Sequence, residues 1–362
     1  MPLAWGDARA AWKGSWPGRP DVPVRIEAAA YRGKPIYFEI VAPWSRAERM
    51  QPFQQSTGEK VAQVILLILF FGVLAGGALI ARRNLKLGRG DRRGALKIAA
   101  FTFSVSLLAW ALGASHVPTF YEFWLFIMAV SWALFVASFV WILYVALEPY
   151  VRRRWPDLLI SWSRLLAGRL RDPRVGRDLL VGAIFALTFP LVGEAHQLVL
   201  RWSGLPADIP FAEDVRMLLG IRQAVSSVSS NLSIYMILGL GCLFVLFILR
   251  AALRRQWLAA LAFVGIFVLP ALSQSEHPLI GGAFAALVWT IIVIMLVRFG
   301  LVALIGCFFM TTLMSVPITL DPSAWFFGHT LVGFALVVAI AAYGFHTALA
   351  GQPLFKDRLF QD

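Results

Sequence analysis

The stretch TFPLVGEAHQLVLR, residues 188–201, groups ionisable side chains inside an otherwise apolar region. Pro190 cannot donate to its helix and frees a carbonyl one turn back. Gly193, Glu194 and His196 follow. If a span starts at Leu179, Glu194 lies about 23 Å along its axis, in the far part of a bilayer. A carboxylate is costly there and often marks a pathway or site. Glu194, Gln197 and Arg201 share a face. His196 points about 200° away from Glu194, since each residue turns ~100°. The two could share a metal only if the helix unwinds near Gly193. His329, about 10 Å into a later helix expected to begin at Pro322, completes a candidate polar site of Glu194, His196, Arg201 and His329. The plainer reading pairs Glu194 with Arg201 or leaves it in interfacial water.

Four of the five histidines, His116, His196, His277 and His329, fall on the same expected side, with Glu122, Glu194, Glu276 and Asp321 near them. Asp321–Pro322 and His277–Pro278 also carry helix-start chemistry, and loop histidines at a wet interface are usually solvated. Known catalytic patterns are missing from the sequence. There is no HExxH, no G-x-S-x-G turn, no Walker motif, and no adjacent glutamate beside Glu194 for an E-E-x-x-x-R helix. Gly88, Gly90 and Gly94 are one residue off a phosphate-loop spacing and sit in a basic segment. Cys242 and Cys307 lie in mid-span without metal or disulfide spacing. No catalytic residue, metal or cofactor is therefore expected. A transporter could use a helix broken at Pro190 and Gly193, but the sequence offers no inverted repeat to go with it.

The elements that would hold these residues are membrane spans. The chain is 59% hydrophobic and only 15% charged, with mean hydropathy +0.73, against about 45–50% and about 25% for soluble domains. Burying a core does not need this excess, but crossing lipid does. Nine spans are predicted, near 61–81, 95–115, 122–147, 179–200, 232–249, 257–272, 279–297, 299–317 and 325–348. The last break in the 279–317 run is placed at Arg298 and Gly300. The predicted fold is an all-α integral membrane protein of about nine transmembrane helices, with a polytopic domain over 61–362.

Net charge is +13, but the basic residues sit in short runs between apolar stretches, which argues against nucleic acid. With the N-terminus outside, the inner segments and tail hold 21 Lys and Arg, while the outer loops and their edge hold Arg201, Arg216 and Arg222. The positive-inside rule then sets the C-terminus in the cytoplasm. The densest run, EPYVRRRWPDLLISWSRLLAGRLRDPRVGRD, carries eight arginines in residues 148–178. It is first an orientation signal. Within it, Leu158, Leu159, Trp162, Leu165, Leu166 and Leu170 share a face opposite Ser161, Arg164, Gly168 and Arg171. This predicts an amphipathic inner-face segment over 150–175, started at Pro156–Asp157 and ended by DPRVG from Asp172. It would turn Arg152, Arg153, Arg154, Arg164, Arg171 and Arg174 toward anionic lipid headgroups. The plainer reading is a basic connector.

Residues 1–60 differ. PVRIEAAAYRGKPIYFEIVAP reads as two strands around RGKP, a β-hairpin too small to be stable alone. The Gly-, Pro- and Trp-rich stretch before it offers little core. No apolar secretory segment precedes this extracytoplasmic part, so it is expected to be the end of a larger domain on a chain extending upstream.

VRIEAAAYRGKPIYFEIVAPWSR, ARRNLKLGRGDRRGA, ALEPYVRRRWPDLLISWSRLLAGRLRDPRVGRDLLVG, TLDPSAWFFG and AAYGFHTALAGQPLF together resemble the C-terminal membrane region of a group of bacterial serine/threonine protein kinases. The resemblance runs from about Val24 to Phe355. It implies a kinase domain upstream in the same polypeptide, a membrane crossing that exports residues 1–60, and a many-span tail in the bacterial inner membrane. No HRD or DFG occurs in this chain, so no kinase residue carries over. The expected role is a non-catalytic membrane sensor or anchor module of a signalling protein, partnered by the bilayer. The alternative is an intramembrane enzyme or transporter working around Glu194.

Overall fold

The computed structural model describes residues 6–17, 19–45, 57–205, 215–275, 277–314 and 319–350. The chain divides into two units, Met1–Ser56 and Thr57–Asp362.

The first unit is an antiparallel sheet of three strands, not the expected two: β1 (Ala8–Trp16), β2 (Arg19–Tyr31) and β3 (Lys34–Val41), in that order. The expected hairpin is β2–β3. Its two-residue turn places Arg32 at φ 52° and Gly33 at φ 74°, the left-handed pair that suits the twist of a tight hairpin. The added strand comes from ARAAWKGSW. It pairs with β2 from Ala8↔Ala30 to Trp16↔Arg19, so its backbone bonds do not depend on an apolar core. Glu27, Ala29 and Ala42 are the buried residues among those described in this unit. Glu27 is held by Arg25 at 2.7 Å.

The second unit is helical: α1 (Thr57–Lys86), α2 (Arg92–Gly113), α3 (Phe120–Arg154), α4 (Pro156–Leu166), α5 (Pro173–Trp202), α6 (Ile221–Leu253), α7 (Gln256–Gln274), α8 (Pro278–Phe299), α9 (Leu301–Met314) and α10 (Phe327–Ala348). Among the described residues, eight helices are long and apolar enough to cross a membrane, all except α4 and α9. They give the chain its polytopic membrane character. The predicted span 299–317 is α9 over 14 residues, a rise of about 21 Å against an ~30 Å hydrocarbon layer. Residues 315–318 lie outside the described residues.

Three boundaries differ from the sequence reading. The third helix does not stop near 147 but runs through Pro149 to Arg154. Proline leaves the Val145 carbonyl without its helical donor. The fully buried Asn84 of α1 supplies one, its Nδ2 donating to Val145 O at 2.9 Å and to Ala146 O at 3.1 Å. The amphipathic segment expected over 150–175 is the shorter helix α4 between the ends of two spans. Asp172 does not end it. Its carboxylate accepts from Arg174 N at 3.0 Å and caps α5, with Pro173 in the first turn, a start signal read in the wrong direction. Likewise Asp321–Pro322 does not open the last helix. Asp321 accepts from the backbone and hydroxyl of Ser323, at 2.9 and 2.7 Å. That local turn leaves α10 to begin at Phe327.

The apolar face of α4 meets protein. Leu158, Leu159 and Trp162 join the main core with α3, α6, α8 and α9. The approach is close at the α8–α9 junction. Gly300 has φ 90°, and a Cβ there would lie 2.7 Å from Leu158 O. The break expected at Arg298–Gly300 is therefore where α4 crosses.

Candidate functional site

The residues nominated from sequence are dispersed. The fifth helix runs unbroken through Pro190 and Gly193. Glu194 is exposed on the same stripe as the exposed Leu187, Leu191 and Leu198. This stripe is the outward face of α5. No hydrogen bond or ion pair links Glu194 to Arg201 or to another described residue. His196, on the other face, lies against Phe284 of α8 with ring centroids 5.0 Å apart. His329 is half-buried near the start of α10, with its Nδ1 buried and unbonded. His277 stands at the residue before α8 without a side-chain bond to the helix, and its Nε2 is in the same condition. Glu276 lies outside the described residues. Among the described residues, no three His, Cys, Asp or Glu side chains are grouped to hold a metal.

The arginines nominated for headgroups divide in two. Arg152 pairs with the buried Glu148 at 2.8 Å, Arg164 pairs with Asp172, and Arg174 lies 3.6 Å from Asp157. Arg153, Arg154 and Arg171 are exposed. Nearby, Arg250 stacks on Trp155, 4.3 Å from the ring centroid. The glycine-rich turn over 88–94 holds no phosphate-like cradle. Its Asp91 caps α2 by accepting from Gly94 N at 2.8 Å, and Asp91 N donates to the Glu148 carboxylate at 3.2 Å. Two carboxylates stand where an anion would need donors, so this turn locks α2 to α3.

The strongest site lies at the opposite end of the helices, in a place the sequence reading passed over. The α6 sequence SSVSSNLS, residues 226–233, puts hydroxyls on more than one face of a span. Buried Ser226, Ser227, Ser229 and Ser233 follow from that spacing. Facing them is the end of α2, where the carbonyls of Gly113 and Ala114 lie past the last helical donors and that of Ala109 can accept a second bond. Side chains from α6 serve them. Ser226 Oγ donates to Ala109 O at 2.6 Å, Gln223 Nε2 to Gly113 O at 3.1 Å, and Arg222 to Ala114 O at 2.9 Å. Deeper in, Ser106 Oγ donates to Ser233 Oγ at 2.9 Å.

These contacts leave a cavity of about 470 Å³ between α2, α3 and α6. Ser106, Ser230 and Asn231 line it with polar groups, Trp110 and Trp132 with aromatic walls, and Arg216 from the short helix Val215–Leu219 adds a cation. The volume is in the usual range for small-ligand sites, about 300–1,000 Å³, and so is the mixture of apolar wall and few polar groups. Ser106 lies about 10 Å in from the end of α2, so polar groups reach membrane depth. Glu194, His196, Arg201 and His329 do not line it.

His116 sits beside the mouth. One ring nitrogen faces the Glu122 carboxylate and the other lies 2.9 Å from Ala111 O. The ring stands edge-on to Trp110, at 5.0 Å between centroids. With acceptors on both nitrogens, the Glu122 hydrogen bond first and the Ala111 carbonyl second raise the His116 pKa above its ordinary value.

Compared with protein-family models, with curated proteins and with solved structures, the chain matches none. The kinase resemblance therefore rests on the quoted residues alone, and the cavity must be read from its own chemistry.

Proposed function

We propose that the chain is the membrane sensor module of a signalling protein, and that its sensing site is the serine-lined cavity between α2, α3 and α6. The observation that carries the reading is this polar, tryptophan-walled cavity at membrane depth. Taking hydroxyls and amides into a membrane span is costly unless each finds a partner, and a purely anchoring bundle has no need of them. Arginine, hydroxyls and aromatic walls suit a small molecule with an anionic or hydrogen-bond-accepting group and an apolar side.

The imbalance of basic residues supports a cytoplasmic arginine-rich end, an outer N-terminus and a cavity open to the outside. The ninth crossing is assigned to α9, and the resemblance to kinase membrane regions supports a bacterial inner membrane and an upstream kinase domain. Headgroup contact at the inner face is assigned to Arg153, Arg154 and Arg171, the exposed nominated arginines that pair with no carboxylate among the described residues. No catalysis is assigned to this chain. An enzyme or transporter at Glu194 would need convergent groups around that carboxylate.

The test is the thermal stability of the purified chain against a panel of small carboxylates, polyols and amino acids. A ligand at about 100 times its Kd adds about 2.7 kcal/mol and raises the transition. Ser230→Trp, which fills the cavity from its exposed wall, should abolish that rise and leave the ligand-free transition in place. A rise that survives Ser230→Trp, or no rise across the panel, contradicts the assignment.

A further inference from the structure

A second cavity, of about 390 Å³, opens at the arginine-rich end between α2, α4, α5, α6 and α9. Its walls are apolar: Ile98 and Phe101 of α2, Trp162 and Leu165 of α4, Met236 of α6 and Phe309 of α9 are among them. At its rim stands a single charge among its lining residues, Lys97, which is exposed and donates through Nζ to Leu166 O at 3.0 Å. Leu166 ends α4. Two residues on, the segment Gly168–Pro173 forms a shallow depression of its own that carries Arg169, Arg171 and Asp172. Asp172 is already engaged by Arg164, so the free balance of this rim is positive. Trp162, 4% exposed, keeps its indole N–H buried and unbonded beside the apolar walls, although tryptophan N–H groups usually find a partner when buried.

We propose that this cavity holds one acyl chain of an anionic phospholipid, with the phosphate at Lys97 and the Arg169–Arg171 turn. An apolar slot at the depth of the hydrocarbon, a cationic rim at the depth of the headgroups and an indole donor without a partner together match a lipid that is apolar in body and anionic at its end. A soluble anion would leave the slot empty, and a zwitterionic lipid would bring its own cation to the rim. Ordinary annular lipid has no reason to favour this place. Its occupancy would fix α4 against α2 and α9 from the inner leaflet, independently of what the serine-lined cavity binds.

The test counts lipids retained by the full chain in native mass spectrometry, after extraction in mild detergent and equilibration with equimolar phosphatidylglycerol and phosphatidylcholine. The wild-type protein should retain one phosphatidylglycerol in clear preference. Lys97→Gln removes the charge from an exposed position, and the preference should fall about fivefold, the equivalent of about 1 kcal/mol for one cation near a charged surface. Gly306→Leu fills the slot. Gly306 lines the cavity, and a Cβ there would meet only ordinary contacts, at 3.4 Å to Leu179 and 3.8 Å to Met310. That variant should lose the retained lipid whichever headgroup it carries. Equal retention of the two lipids by the wild-type protein overturns the proposal, as does undiminished retention by a Gly306→Leu protein whose thermal transition is intact. If Gly306→Leu does not fold, the Lys97→Gln comparison decides, and an unchanged preference there overturns it.

Discussion

Asn84→Ala examined with and without Pro149→Ala gives a sharp test of how α3 passes its proline. Asn84 is fully buried, and its Nδ2 is the donor that reaches Val145 O. The Ala146 carbonyl keeps its ordinary helical partner position at Tyr150, so the loss falls on Val145. Removing one net bond costs about 1 kcal/mol, and stranding a buried carbonyl costs about 1–3 kcal/mol. Part of this is returned, because the buried Asn84 Oδ1 has no partner and leaves with the side chain. The expected cost of Asn84→Ala is therefore about 1–2 kcal/mol beyond the cavity it opens. In the Pro149→Ala background residue 149 regains an N–H, and Val145 O keeps a donor when Asn84 is removed. The cavity cost is common to both backgrounds and cancels. The double-mutant cycle, read from reversible unfolding in mixed micelles by tryptophan fluorescence, should show a coupling of about 1–2 kcal/mol. Additivity within about 0.5 kcal/mol would refute the reasoning and make the Asn84 contact incidental.

Two further outcomes are expected. The imidazole of His116 should titrate above pH 6.5 by NMR, and Glu122→Gln should lower its midpoint; an unchanged midpoint would remove Glu122 as the principal cause. Because the folded value is raised, the stabilisation of the α2–α3 turn is fully present below about pH 6.5. It is lost as pH rises through the folded value. Gly300→Ala should cost at least about 2 kcal/mol in thermal unfolding, since φ 90° and ψ −172° belong to glycine and the added Cβ meets Leu158. Gly306→Ala, six residues on with room for a methyl, should be neutral or stabilising, and equal effects of the two substitutions would contradict the close approach of α4.

Much of the helical pattern was legible because lipid imposes it. Eight stretches long enough to cross and apolar enough to remain there can be read from composition alone. The helix ends were harder, for identifiable reasons. Pro149 reads as a terminator until Asn84, far away in sequence, replaces the missing donor. Asp172–Pro173 is one signal with two readings, the end of one helix or the start of the next, and only the Arg174 N–H decides between them. The strand Ala8–Trp16 carries too few β-branched residues to announce itself and is recruited by pairing. The candidate site is hard to read in the sequence because Arg216 is the one ionisable residue among those lining it. Glu194 is conspicuous in sequence yet faces outward, whereas the cavity is made from serines, residues common enough to pass as filler. The signal present was SSVSSNLS inside a membrane span, where hydroxyls on several faces at once require partners.

The most direct test of the central claim is the reactivity of Ser230→Cys in intact cells toward a charged, membrane-impermeant methanethiosulfonate. The native Cys242 and Cys307 are buried, and reaction needs a thiolate in water. Met128→Cys, on an exposed face of α3 about 12 Å from its start, serves as the lipid-facing comparison. Rapid labelling of Ser230→Cys from outside, with Met128→Cys unreactive, is the expected result for a wet cavity open opposite the arginine-rich end. Equal inertness of both, or labelling of Ser230→Cys only after the cells are broken open, would contradict it.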